Sequence, residues 1–229
     1  MGFPLDHRQT EMNEKFPVWK RTLDMALVAI TLPLWLPLMA MLAVVLKCAS
    51  PGPLLYRQKR VGLGGRTFAC LKFRSMKVNA QTQVHEDYLK RLIDTNCPMT
   101  KLDAAGDSRL IPMGRFFRST GLDELPQIFN VIQGQMSLVG PRPCTPHEFS
   151  SAPELLSPRV AVPPGITGYW QVNGKNKTTF RRMLEMDEFY ANHLSLALDL
   201  KILFWTAPSI LGQIFESRGR CPEEKQVVN

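Results

Sequence analysis

From Met25 to Leu46 the chain runs 22 residues without a charge, and a helix needs about 20 to cross the hydrocarbon core of a bilayer. The run is too long for a secretory signal, and Lys47 follows it in place of a small-residue cleavage site. Pro33 and Pro37 fall inside it. Proline removes a backbone donor and crowds the preceding turn, so a bend is expected there. Lys20 and Arg21 precede the run; Lys47, Arg57, Lys59 and Arg60 follow it. Basic flanks favour the cytoplasmic side of a membrane. A straight span would leave one flank outside, whereas a helix that enters, bends at the prolines and returns keeps both inside. A single kinked span is the alternative. A buried helix of a soluble protein fits least, because such helices are seldom apolar all round.

Downstream the pattern changes. Residues 1 to about 17 are polar and read as a loose tail, and Ser50-Pro51-Gly52-Pro53 closes the apolar run. Two strand-like stretches follow, Leu54 to Val61 and Arg66 to Met76, separated by Gly62-Leu63-Gly64-Gly65, which predicts a β-hairpin. In the second, alternation sets Ala69, Leu71 and Phe73 against Lys72 and Arg74. Residues 81–93 read as a helix and 96–107 as a loop. Leu125 to Ile132 is apolar at helical spacing and stops before Gly134. Pro141-Arg142-Pro143 is a stiff extended segment. Pro163 to Asn176, rich in Gly and Asn, reads as a loop. Phe180 to Asn192 reads as an amphipathic helix, and Leu194 to Phe215 as a strongly apolar one interrupted at Pro208. This last helix suits either a membrane interface or a core. The final dozen residues are polar.

Composition narrows the partners. Lys and Arg exceed Asp and Glu by 28 to 20, a formal charge of +8, so anionic partners are expected: nucleic acid, lipid headgroups or phosphorylated substrates. Between Pro51 and Val78 stand seven basic residues and no acidic one. That suits a headgroup-facing or solvated surface, and also a polyanion-binding protein. The five cysteines are scattered without metal-ligand spacing, which points to reduced thiols facing a cytosol.

The densest candidate chemistry is Arg118-Ser119-Thr120-Gly121-Leu122-Asp123-Glu124-Leu125-Pro126-Gln127. With Asp123 as a helix cap, Pro126 would fall at the third helical position, where its missing N–H costs nothing. The helix end would then keep an aspartate ionised and draw phosphate. An aspartate can attack phosphorus to form an acyl phosphate, and a neighbouring carboxylate can hold Mg²⁺. Adjacent acids in a first helical turn are common as plain caps; Arg118 on one side and Arg142 on the other set this pair apart, since guanidinium groups grip phosphate bidentately.

These segments occur in the order of a known family: Lys20-Arg21-x-x-Asp24, Ser50-Pro51-Gly52-Pro53, Lys72-Phe73-Arg74-Ser75-Met76, Leu122-Asp123-Glu124-Leu125-Pro126-Gln127 and Met136-Ser137-Leu138-Val139-Gly140-Pro141-Arg142-Pro143. Pro164-Gly165-Ile166-Thr167-Gly168, Gln171-Val172-Asn173-Gly174 and Asp199-Leu200-Lys201-Ile202-Leu203 complete the series. Together they resemble the small monotopic phosphoglycosyl transferases among the bacterial sugar transferases. The resemblance implies that Asp123 attacks the sugar-bearing phosphate of a UDP-sugar and expels UMP, and that a polyprenyl phosphate, such as undecaprenyl phosphate, then takes the sugar phosphate. It implies Glu124 as the Mg²⁺ ligand, Arg118 and Arg142 as phosphate holders, and Lys72 as an assisting group. The loop from Gly165 to Asn176 would help seat the nucleotide sugar, with Asp187 contributing.

The expected architecture is α+β and mainly helical. It comprises a re-entrant membrane helix over 18–48, a small β-hairpin, and interfacial amphipathic helices around one catalytic core over 49–213. Flexible tails are expected at 1–17 and 214–229. The resemblance implies a bacterial inner membrane protein with its catalytic domain on the cytoplasmic face, lipids as partners and no nucleic acid, and it leaves a homo-oligomer open. The chain resembles the minimal catalytic unit, without the N-terminal membrane helices of larger relatives. Family members often carry serine before the second proline, and Leu36 stands there. Leucine cannot bond a freed carbonyl, so the bend has to be built differently.

Overall fold

The computed structural model describes residues 16–77, 109–174 and 178–218, the last six by backbone alone. The helix expected over 81–93, the loop over 96–107 and nearly all of both tails lie outside the described residues.

The apolar run forms two helices, α1 (Val18–Ile30) and α2 (Leu32–Ala49), broken at Thr31. The break precedes Pro33, which occupies the second position of α2, where a missing N–H is harmless. Pro37, expected to bend the chain as well, lies inside α2. The carbonyls around the break are met by side chains: Thr31 Oγ1 donates to Leu27 O at 2.6 Å, and Trp35 Nε1 donates to Val28 O at 3.0 Å. Thr31 and Trp35 thus supply side-chain donors to the last turn of α1. By length and composition alone, α2 is long and apolar enough to cross a membrane.

The predicted hairpin is present. Strand β1 (Leu55–Val61) pairs antiparallel with β2 (Thr67–Phe73), joined by a 3₁₀ turn at Leu63–Gly65. Then come α3 (Gly114–Thr120), a 3₁₀ turn at Leu122–Glu124, and α4 (Gln127–Ile132). After β3 (Ser137–Val139) the Pro-Arg-Pro segment leads into α5 (Pro146–Ser151) and α6 (Pro153–Val160). Where a loop was expected over 163–176, the chain forms β4 (Gly165–Thr167) and α7 (Tyr169–Gly174). Strand β4 runs parallel to β3, Ser137 opposite Gly165. Helix α8 (Phe180–Asn192) has the predicted bounds. Helix α9 (Leu196–Arg218) carries Pro208 within it and is not interrupted there.

The largest core cluster joins α1 and α2 to the hairpin, α3 and α4: Val28, Trp35, Leu42 and Leu46 pack with Phe73, Phe117, Ile128 and Val131. A polar tie completes the attachment of α1. Lys20, fully buried, pairs with Asp199 of α9 and donates to Tyr190 Oη of α8 at 2.9 Å. Tyr190 in turn donates to Asp199 Oδ1 at 2.7 Å. Asp24 Oδ1 accepts from Ser137 Oγ and the Leu138 N–H of β3. Arg21 donates to the carbonyls of Val131 and Ile132 that end α4.

Candidate active site

Asp123 sits in the middle of the 3₁₀ turn that precedes α4, so it is not the N-cap of that helix. Gly121, at φ 73°, makes the reversal that aims the turn back from α3. The six-residue α4 is too short to lend the field expected of a helix end. Positive charge comes from side chains.

Glu124 is held from two sides. Arg142 Nη2 donates to Glu124 Oε1 at 2.7 Å and Nη1 to Oε2 at 3.3 Å, a bidentate grip. Lys72 Nζ, projecting from β2, donates to Oε1 at 3.1 Å. Arg118 lies in the last turn of α3, near enough to Asp123 to act on its charge. Burial and the Glu124 carboxylate push the Asp123 pKa above the usual carboxylate value, while Lys72, Arg118 and Arg142 oppose them. Asp123 is therefore not held ionised by its surroundings as a helix cap would be; it is a buried carboxylate whose charge depends on three cations. Burial likewise lowers Lys72, against the pull of Glu124, and the Glu124 carboxylate raises Arg142.

A small open cleft lies against this cluster, lined by Arg60, Cys70, Lys72, Gln127, Arg142, Pro143 and Gly165. Gly165 belongs here for a packing reason. A Cβ at this position would stand 2.0 Å from Gly140 N and 2.5 Å from Thr167 O. Only glycine lets β4 pass so close beneath the Pro-Arg-Pro segment, and the Gly165 N–H donates to Pro141 O at 2.9 Å. Arg142 is thereby presented from a backbone braced on its far side.

Asp187 goes elsewhere. It is buried on the core face of α8 and pairs with Arg159 of α6 at 2.8 Å; burial pushes its pKa up to about 6, against Arg159. Its role in seating a sugar nucleotide gains no contact with the Glu124 cluster among the described residues. Arg60 was counted in sequence only as part of a basic run. It is buried, lines the cleft, donates to Pro143 O at 2.8 Å and bonds Gln58 Oε1. The one signal that could have found it is its place two residues from Gln58 on the same face of a strand. Gln127 and Cys70 were also not singled out as lining residues.

Among the described residues, no three acidic, histidine or cysteine side chains gather as a metal cage. A Mg²⁺ ion bound with phosphates asks for less, one or two carboxylates completed by phosphate oxygens and water. The adjacent Asp123 and Glu124 carboxylates fit that donor set, provided that Arg142 or Lys72 gives up an oxygen of Glu124.

The bacterial sugar transferase family model matches residues 15–213. A UDP-glucose:undecaprenyl-phosphate glucose-1-phosphate transferase of Xanthomonas campestris pv. campestris is 42% identical over 207 residues, covering 86% of this chain and 40% of that protein. An undecaprenyl-phosphate galactose phosphotransferase of Salmonella typhimurium is 38% identical over 198 residues, covering 84% and 40%. The exopolysaccharide production protein ExoY of Sinorhizobium fredii is 34% identical over 194 residues, covering 83% and 84%. The chain thus spans about two fifths of the length of the first two relatives and most of the third. A family match over residues 15–213, nearly the whole of its length, makes the chain a member of the bacterial sugar transferase family.

Proposed function

We propose that this protein moves a sugar 1-phosphate from a UDP-sugar to a polyprenyl phosphate, releasing UMP, as an early membrane step in bacterial polysaccharide or glycoconjugate synthesis. The observation that carries the reading is the buried Asp123 beside a Glu124 clamped by Lys72 and Arg142. A buried carboxylate surrounded by cations can neither stay charged nor approach phosphate without them. Here they are supplied from three separate segments.

In this reading Asp123 Oδ attacks the phosphorus that bears the sugar. The bond from that phosphorus to the UMP oxygen breaks, and UMP leaves with the electron pair. The polyprenyl phosphate oxygen then attacks the same phosphorus, and the aspartyl–phosphorus bond breaks to restore the carboxylate. Arg142 and Arg118 hold phosphate oxygens, and Lys72 offsets charge at the attacking carboxylate. Glu124 would hold Mg²⁺, whose chemistry when bound is to neutralise phosphate charge.

The membrane reading accompanies it. The break at Thr31 lies between two helices whose outer ends are both tied to one domain: Lys20 and Arg21 at the head of α1, Leu42 and Leu46 at the tail of α2. Apolar side chains around the break, Ile30, Leu32 and Leu34, are all exposed. These features support a re-entrant helix entering a cytoplasmic membrane from the domain's side. On α9, Leu196, Leu200, Phe204 and Leu211 form an exposed apolar face that suits the same surface.

Detergent-solubilised protein given Mg²⁺, lipid phosphate and a panel of UDP-sugars should release UMP with one or more donors. A labelled donor should leave an adduct that mass mapping finds at Asp123. UMP release surviving in Asp123→Asn would sink the mechanism. A polyanion-binding or scaffold protein, the other reading, would form no lipid-linked product.

A further inference from the structure

We infer that Asn130 is a positioning residue for the reaction, acting as a one-residue third strand on the free edge of β2 and so fixing Lys72 against Glu124. The inference rests on the role given above to Lys72.

Among the described residues, strand β2 has only β1 as a strand partner. Its other edge would present bare backbone groups of Ala69 and Leu71, and such groups need partners when covered. Asn130 supplies both. Leu71 N donates to Asn130 Oδ1 at 2.9 Å, and Asn130 Nδ2 donates to Ala69 O at 2.8 Å. Two bonds to residues i and i+2 are the pattern a neighbouring strand residue would make. Asn130 Nδ2 also donates to Gln135 Oε1 at 2.7 Å. The amide can serve one donor and two acceptors in only one orientation, so Gln135 fixes it.

The geometry reaches the site in both directions. Lys72 directly follows Leu71 on the clamped strand. Asn130, 1% exposed, lies on α4, which continues from the turn bearing Asp123 and Glu124 through Leu125 and Pro126 in helical conformation. The asparagine therefore joins the strand that carries the lysine to the helical unit that carries the carboxylates. Among the described residues, no other side-chain hydrogen bond joins β2 to α4.

The test compares Asn130→Ala and Gln135→Ala, each alone and combined with Lys72→Met, by UMP release from whichever UDP-sugar the wild type turns over. Temperatures stay well below each variant's melting midpoint. Asn130→Ala should lower kcat about tenfold or more with the donor KM within about twofold, because misplaced groups cost the transition state more than binding. Added to Lys72→Met it should lower kcat no further, since two residues acting through one contact are not additive. Gln135 is exposed, so Gln135→Ala leaves the core intact. It should show the same non-additivity with a smaller loss, and it decides the matter if Asn130→Ala does not fold. Equal losses in both backgrounds, or a lowered melting point with unchanged kcat, overturn the inference and leave the proposed function standing. Full turnover in Lys72→Met overturns the role of Lys72 and this inference together.

Discussion

Asp123 is a nucleophile candidate whose charge is set by its neighbours, and that gives the pH dependence a sign. Burial and Glu124 raise its pKa, so the acidic limb of UMP release should lie above the ordinary carboxylate range. Lys72→Met removes a charge that favours ionisation and should move that limb further up; the rate–pH profile of the variant checks it. Asp187 offers a separate test of stability. Its folded pKa, about 6 against a reference of 3.8, means the folded state binds the proton more tightly. The stability this contributes is present below pH 3.8 and is lost as pH rises through about 6. Wild type should therefore lose roughly 3 kcal/mol relative to Asp187→Asn across that window, followed by denaturant melts at several pH values. That Glu124 and Arg142 meet beside Asp123 was legible from the pairing of carboxylates with arginines, whereas Lys72 came from the family resemblance alone. Lys20 was misread. Counted as an exposed basic flank, it is a fully buried ion-pair member, because its partner Asp199 lies 179 positions away and sequence spacing cannot reveal such a contact.

Elements with a strong period or a glycine boundary were legible: the hairpin, α4 and α8. On α8 the buried positions Phe180, Met183, Leu184, Asp187 and Tyr190 repeat at helical spacing. Helices α5 and α6 were not anticipated, although Thr145 and Glu148 form a capping box at the start of α5 that its Thr-x-x-Glu spacing advertises. The β3–β4 pair was hidden for another reason. Three-residue strands have no period to detect, and Gly165 reads as a loop residue until its contact with Gly140 is seen. Gly165→Ala should cost about 1–3 kcal/mol or more, because the added Cβ meets backbone that cannot rotate away. It should also weaken turnover through Arg142, which calorimetry and UMP release on the same sample would separate. At the break, Trp35→Phe should destabilise the protein by roughly 1–3 kcal/mol by orphaning Val28 O, measured as a lower midpoint in detergent.

At the scale of the molecule, the topology test has to respect burial. Position 20 is sealed inside the protein, so a cysteine there would report nothing; Val18 and Lys47 are exposed at the two outer ends. Single cysteines at 18 and 47 should both be labelled from the cytoplasmic side alone, and labelling of either from outside would mean a true span. The tie between Lys20 and Asp199 has a consequence for biosynthesis. The ribosome delivers the lysine 179 residues before its carboxylate partner, so α1 stays without its buried counter-ion until α9 emerges. A chain released before residue 196 would hold an uncompensated ammonium where the finished protein allows no water. Such fragments should be captured by quality-control proteases, making the arrival of α9 a condition for lasting attachment of the first two helices to the rest of the fold.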